Sequence, residues 1–276
     1  MWGIVLKKIF ILFFTVVCVV VFIPAFIIFV LDFGNIPSKT ENEIRITALL
    51  DGKVSEFELE EYLEGVLAAE MPASFHEEAL KAQAVAARTY ILRKKDHTDN
   101  DHPEAFVCGD STHCKAYLSK EQITEKLGEP WHKEYGGKIK NAIKSTKGEI
   151  AVFGGEPIEA VFHSASGGIT ENAADVWGGD VPYLVSVESP GDEIAPVFFN
   201  DVSVNYDDFK EKIGGDIAPY VGEIVRNTSG SVKTVDFGGR LFEGVEVRKM
   251  FSLPSANFSI TANGDEFVFH CKGKEL

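Results

Sequence analysis

Residues Ile9 to Leu31 contain no charged side chain (IFILFFTVVCVVVFIPAFIIFVL). A helix needs about 20 apolar residues to cross the hydrocarbon core of a bilayer, and this run is long enough. Pro24 falls inside it, which spanning helices tolerate better than soluble ones. A cleaved signal peptide is the competing reading, but its apolar stretch is roughly 7–15 residues and ends on small residues. Here the run is longer, and its end, Phe29-Val30-Leu31-Asp32-Phe33, is bulky. An uncleaved transmembrane helix over 9–31 is therefore expected. Lys7 and Lys8 precede it, while Asp32, Glu41 and Glu43 follow. The positive-inside tendency predicts a cytoplasmic stub over 1–8 and, after a polar linker over 32–43, a domain outside the cytoplasm.

Charge narrows the partners of that domain. Setting aside Lys7 and Lys8 leaves 25 basic against 42 acidic residues, a balance of −17. Such a surface repels nucleic acid and anionic lipid headgroups. It suits a neutral or weakly charged partner. With Cys18 in the apolar run and only Cys108, Cys114 and Cys271 beyond it, the chain is not a disulfide scaffold.

Hydropathy patterning predicts an α+β fold. Ile44 to Leu50 alternates as a strand does, Asp51-Gly52 is a hairpin signal, and Val54 to Leu59 fits the return strand. Leu59, Tyr62, Leu63, Val66 and Leu67 follow helical spacing. That helix should end near Glu70-Met71, because Pro72 disfavours helical geometry in the residue before it. Ser74 to Glu77 fits a capping box, so a second, alanine-rich helix is expected from there to about Lys95. Residues 96–116 read as an irregular polar loop, 138–146 as a weak helix, and Ile150–Phe153 and Ile158–Phe162 as short strands. Strands and turns dominate from about 184, with one short helix over Asp207–Ile213. The expected division is a mixed helical and strand core over 44–183, a β-rich second lobe over 184–266, and a truncated return to the core over 267–276.

Glu70 is the candidate catalytic group. It lies at the C-terminal end of an apolar helix, where helix carbonyls and apolar neighbours both disfavour a charged carboxyl. A carboxyl tuned toward neutral pH can donate a proton to a leaving group. By position alone, a glutamate there more often simply ends the helix. Lys81 and Arg88 are seven residues apart, nearly two turns, and so share a face of the second helix. Two cations among alanines could approach Glu70 or grip an anionic group, or form an ordinary exposed basic pair.

His102, Cys108, His113 and Cys114 lie within thirteen residues. Two histidines and two cysteines are a common set for structural zinc, although the spacing is not that of a zinc finger. A Cys108–Cys114 disulfide fits the spacing equally well. His76, His97, His132, His270 and Cys271 lack a full set of partners and read as structural or exposed.

The stretch Tyr62 to Tyr90, YLEGVLAAEMPASFHEEALKAQAVAARTY, resembles the stage II sporulation protein D family. Its pattern, E-M-P-x-S-F followed by E-A-L-K-A-Q-A-x-A-A-R-T, is long and nearly free of gaps. The resemblance continues through the His/Cys loop and His163-Ser164-Ala165-Ser166-Gly167-Gly168 and covers roughly residues 44–274. It implies a membrane-anchored lytic transglycosylase that acts on the glycan backbone of peptidoglycan during septal remodelling and engulfment. By the same resemblance, Glu70 would be the catalytic acid/base. Lys81 and Arg88 would line the substrate groove with His163, Ser164 and Ser166, and Phe162 stands where a tyrosine is often expected. Clostridial-type members imply zinc in the loop, bound by His102, Cys108, His113 and Cys114 as a closed structural site.

One glutamate suffices for this chemistry. Most glycosidases need two carboxylates, but here the muramic 6-hydroxyl is the nucleophile. Glu70 would protonate the leaving oxygen of the β-1,4 bond between N-acetylmuramic acid and N-acetylglucosamine. It would then take the proton of the attacking hydroxyl, leaving a 1,6-anhydro end. The implied partners are glycan strands stripped of stem peptides, a peptidoglycan amidase (stage II sporulation protein P) and a membrane scaffold (stage II sporulation protein M). The implied place is the mother-cell side of the engulfing septum. The family's usual closing motif, G-H-G-V-G-M-S-Q-x-G-A, does not follow Phe267 to Leu276, so one wall of the groove is expected to be missing. Related amidase-enhancer proteins share the domain, so a non-catalytic wall-binding activator of an amidase is the alternative.

Overall fold

A computed structural model of the chain describes Lys7 and residues 43–95, 101–215 and 220–274. The expected anchor over 9–31, all but the last residue of the linker, and His97 lie outside them. No helix among the described residues is long and apolar enough to cross a membrane. Among the described residues the architecture is α+β, with several small sheets and two hydrophobic cores.

The first core begins with a hairpin of β1 (Arg45–Leu50) and β2 (Lys53–Glu58), closed by the pair Leu50 and Lys53. Asp51 and Gly52 both have positive φ, 49° and 74°. That is the geometry of the two-residue turn whose twist matches the flanking strands. A short β3 (Val107–Cys108) joins β1 in parallel. The chain leaves β2 directly into α1 (Leu59–Glu70), where the Glu58 carboxylate caps the helix by accepting from Glu61 N–H at 2.8 Å. Leu59, Tyr62, Leu63, Val66 and Leu67 form the buried stripe of α1, as their 3–4 spacing requires.

The second helix, α2 (Glu77–Lys95), packs on α1. It starts later than the Ser74 capping box predicts. His76 precedes it, and its ring Nδ1 accepts from Glu78 N–H at 3.3 Å. Ala84 and Ala87 are fully buried in α2, so the backbones approach closely. A helix absent from the sequence reading, α3 (Lys120–Leu127), follows a true capping box between Ser119 and Gln122. The chain then runs through α4 (Glu129–Trp131), a π-helical turn (His132–Gly136) and α5 (Gly137–Ser145), and α5 packs on both α1 and α2. The two strands expected over 150–162 shrink to the hairpin of β4 (Val152–Phe153) and β5 (Glu156–Pro157) around Gly154 and Gly155. Beyond Ile158 the chain turns on itself, with Val161 N–H donating to Glu159 O at 3.0 Å.

After α6 (Ala173–Trp177) comes the β-rich region. One sheet has the order β10 (Phe258–Asn263), β11 (Glu266–Lys272), β6 (Phe199–Asn205). The other has the order β7 (Val221–Arg226), β8 (Val232–Phe237), β9 (Arg240–Glu243). Helices α7 (Tyr206–Ile213) and α8 (Gly244–Phe251) join Phe209, Ile213, Val247 and Phe251 to the same core. The expected return at 267 is corrected here. Phe267, Phe269 and Cys271 point into the second core, because β11 is the central strand of its sheet. Only the tip reaches back, through paired hydrogen bonds between Lys274 and Ala165 (2.7 and 3.3 Å).

Candidate active site and His/Cys cluster

Glu70 is the last residue of α1, one turn beyond Val66 and Leu67, so it continues the buried stripe to its half-buried edge. The helix stops because Met71 is extended (φ −136°, ψ 134°) ahead of Pro72. The carboxylate does not hang free. Its Oε1 accepts from Ala116 N–H at 2.7 Å. Lys115, next in the chain, lays its ammonium over the Phe162 ring at 4.0 Å and the Tyr90 ring at 5.0 Å. Burial pulls the Lys115 pKa below the ordinary lysine value, while the nearby carboxylates of Glu70 and Glu159 oppose that shift. In the structure Glu70 thus has a fixed N–H donor and a neighbouring cation. Neither is marked in the sequence. A cavity of about 370 Å³ opens on Glu70, which is the one charged residue among its lining residues; Leu127, Trp131 and Tyr135 face it.

The four loop residues converge. One ligand atom from each of His102, Cys108, His113 and Cys114 lies within 4.8 Å of the others. His102 Nε2 is 3.3 Å from Cys114 Sγ, and His113 Nδ1 is 3.6 Å from Cys108 Sγ and 3.5 Å from Cys114 Sγ. Tetrahedral zinc with ordinary bond lengths sets nitrogen and sulfur about 3.6 Å apart, so the donor set fits that ion. The outward ring nitrogens are also held: His102 Nδ1 is 2.9 Å from Ala105 O, and His113 Nε2 is 3.0 Å from an Asp101 carboxylate oxygen. Ligating histidines are oriented in this way by their second nitrogen. Cys108 and Cys114 are free thiols, not a disulfide. Burial pushes the Cys108 thiol up. For Cys114, burial is outweighed by hydrogen bonds from the Cys108 backbone, Tyr90 and His102, and its pKa falls below the ordinary value. One residue, Lys115, separates Cys114 of this cluster from Ala116, whose N–H holds Glu70.

The groove residues expected on α2 do not behave as a pair. Arg88 is fully buried and cannot touch a substrate. Its guanidinium makes a bidentate bond to the Glu60 carboxylate at 2.6 and 2.9 Å and donates to the carbonyls of Glu149 and Ile143. It is a tie between α1, α2 and α5, which corrects its place in the groove. Lys81 turns its ammonium back along its own helix to Glu77 (3.0 Å) and Glu78 (2.9 Å). Neither residue lines the cavity at Glu70.

The second stretch also divides. His163 and Ser164 are exposed, whereas Ser166 is buried. Ser166 donates from its N–H and hydroxyl to one Asp192 oxygen (2.7 and 2.6 Å), and so braces a loop instead of lining a groove. Phe162 ties this stretch to Lys115, the cation next to Glu70. The residues missed from sequence are Lys115, Ala116, Trp131 and Tyr135. The last two carry a readable signal, an aromatic pair at i and i+4 in EPWHKEYGG. Lys115 and Ala116 carry none, because a main-chain donor has no sequence mark.

A stage II sporulation protein (SpoIID) family model matches residues 51–153, the span that holds Glu70, both helices and the cluster. The stage II sporulation protein D of Bacillus subtilis (strain 168) is 37% identical over 224 residues, 80% of this chain and 65% of that protein. Its counterpart in Bacillus amyloliquefaciens is 38% identical over 224 residues, with the same coverage. The chain belongs to the stage II sporulation protein D family. It spans 65% of the length of those two relatives. A Bacillus subtilis protein named amidase enhancer is 36% identical over 130 residues, 47% of this chain and 15% of that protein. Within the family's span, the pattern E-M-P ends α1 and leaves its glutamate at the cavity.

Proposed function

We propose that the chain is a sporulation lytic transglycosylase that cleaves the β-1,4 bond between N-acetylmuramic acid and N-acetylglucosamine. The observation that carries this reading is the Glu70 carboxylate at the mouth of a cavity with aromatic walls, gripped by a main-chain N–H. Glu70 donates its proton to the leaving glycosidic oxygen. It then accepts the proton of the muramic 6-hydroxyl as that oxygen closes on the anomeric carbon. One carboxyl serves both steps because no water is activated, in contrast to the paired carboxylates of most glycosidases. The Ala116 N–H fixes one carboxylate oxygen and leaves the other for proton transfer. Lys115, at the edge of the site, balances negative charge on Glu70 when the proton has left.

His102, Cys108, His113 and Cys114 would hold zinc, which would supply structure only, since four protein ligands leave no open position. The residues' own task is positional: they fix the turn that delivers Lys115 and Ala116 to Glu70. The reading extends to an N-terminal anchor over 9–31, an extracytoplasmic domain at the septum, and work beside a peptidoglycan amidase and a membrane scaffold. The test is to incubate the full chain with glycan stripped of stem peptides and look for 1,6-anhydro-muramic products by mass spectrometry. Loss of product in Glu70→Gln supports the assignment; undiminished product sinks it. The second reading, a non-catalytic activator, is favoured by the likeness to a protein named amidase enhancer. It predicts glycan binding without turnover, and faster release of stem peptides when an amidase is added.

A further inference from the structure

Trp131 ends α4, and Tyr135 lies one turn on, inside the π-helical segment His132–Gly136. Both rings line the cavity that opens on Glu70. Their centroids are 6.2 Å apart and their planes meet at 54°, so they make a bent corner and not a slot for one flat ring. π-Helical turns are rare and are frequent at functional sites. This one is held on both sides. The His132 ring Nε2 is 2.9 Å from the Thr124 hydroxyl on α3. The Lys138 ammonium, just past the turn, donates to the carbonyls of Ala73 and Phe75 in the loop that follows Glu70. The aromatic corner and the carboxylate are therefore braced against each other before any ligand arrives.

We propose that Trp131 and Tyr135 form a subsite for an uncharged pyranose of an N-acetylated glycan, holding it against Glu70. This rests on the transglycosylase reading and names the residues that would orient its substrate. Three observations select the ligand. Ligand pockets combine aromatic walls with few, placed polar groups, and here Glu70 is the one charged lining residue. An anionic ligand would meet that carboxylate within a chain of net charge −15, without a cation among the lining residues. A pyranose offers an apolar C–H face to a ring and hydroxyls to a carboxylate. Trp131 also belongs to the wall of a second cavity of about 680 Å³. A side chain shared by two adjoining hollows suits a strand of sugars better than a single small molecule.

The test measures binding, not turnover. The full chain carrying Glu70→Gln is titrated calorimetrically with a neutral N-acetylglucosamine tetrasaccharide. Adding Trp131→Ala or Tyr135→Ala should weaken binding about tenfold, the scale of a lost aromatic contact, while Trp131→Phe holds it within about threefold. Tyr135→Ala carries the same expectation if Trp131→Ala disturbs packing, which its thermal unfolding would reveal. Binding within about twofold of the parent in both alanine variants overturns the subsite and leaves the role of Glu70 standing. Tetrasaccharide that fails to bind the parent overturns the subsite too. Undiminished cleavage by Glu70→Gln overturns the transglycosylase reading alone.

Discussion

The core around α1 and α2 buries Arg88, Thr89, Gln83 and His102 among its aliphatic side chains. The core around β11 is packed by Phe209, Phe237, Phe251, Phe258, Phe267 and Phe269, with Cys271 beside them. Buried polar groups cost free energy unless each finds its partner in the right geometry. The first region therefore specifies single positions: Arg88 to Glu60, His102 to Ala105, Ala116 N–H to Glu70. The second needs volume and pattern, which many apolar combinations satisfy. Precision lies where Glu70 sits, and bulk packing lies where no candidate site residue does.

Substitutions should separate the two regions. Arg88→Met leaves the Glu60 carboxylate half-buried without its partner and strands two carbonyls. The expected cost is about 3–5 kcal/mol, read as a lower denaturation midpoint by urea titration. A loss under about 1 kcal/mol would mean that the first core is as tolerant as the second. Chelation with a high-affinity zinc chelator should come next. It should lower the thermal midpoint of the first region by about 5–10 °C and leave the near-ultraviolet signal of the phenylalanine core in place. Cys114→Ser should then show no further response to chelator. Lys115→Met, which keeps bulk over Phe162 and removes charge, should slow glycan cleavage about tenfold with little change in KM. In the second region, Phe269→Leu should cost less than about 1.5 kcal/mol and leave the cleavage rate unchanged.

The smallest effect concerns the joint at Ser166. Burial there resists the Asp192 charge, but hydrogen bonds, first the two from Ser166 and then one from Ser189, with the nearby His163, hold its pKa below the ordinary 3.8. The folded value thus lies under the unfolded one. The resulting stabilisation is present above pH 3.8 and is lost as pH falls through the folded value. Asp192→Asn should be slightly less stable than the parent at neutral pH. The difference should vanish in acid unfolding below that window.

Much of this was legible from residues. The Asp51-Gly52 hairpin, the break at Met71-Pro72 and the two helices either side follow from local rules, because turn chemistry and proline act within a few residues. The His/Cys set was visible as composition, and its convergence needed the fold. Arg88 misled for a physical reason. Helical spacing puts it seven residues from Lys81, but spacing does not tell whether a face meets solvent or α5, and there it meets Glu60, Ile143 and Glu149. Ser166 misled similarly, since its partner Asp192 is 26 residues away. Ala116 was invisible because its contribution is a main-chain N–H. The place of β11 was misjudged because alternation over Glu266 to Lys272 shows a strand but not which core it enters.

In the polar region, Glu70 is the one charged residue lining the cavity of about 370 Å³. The direct measurement is the rate at which the full chain generates 1,6-anhydro-muramic ends on denuded glycan, set beside Glu70→Gln in the same preparation. The account predicts a fall of about a thousandfold, with the thermal midpoint within a few degrees of the parent. An unchanged rate in Glu70→Gln would contradict it and move the chemistry away from the end of α1.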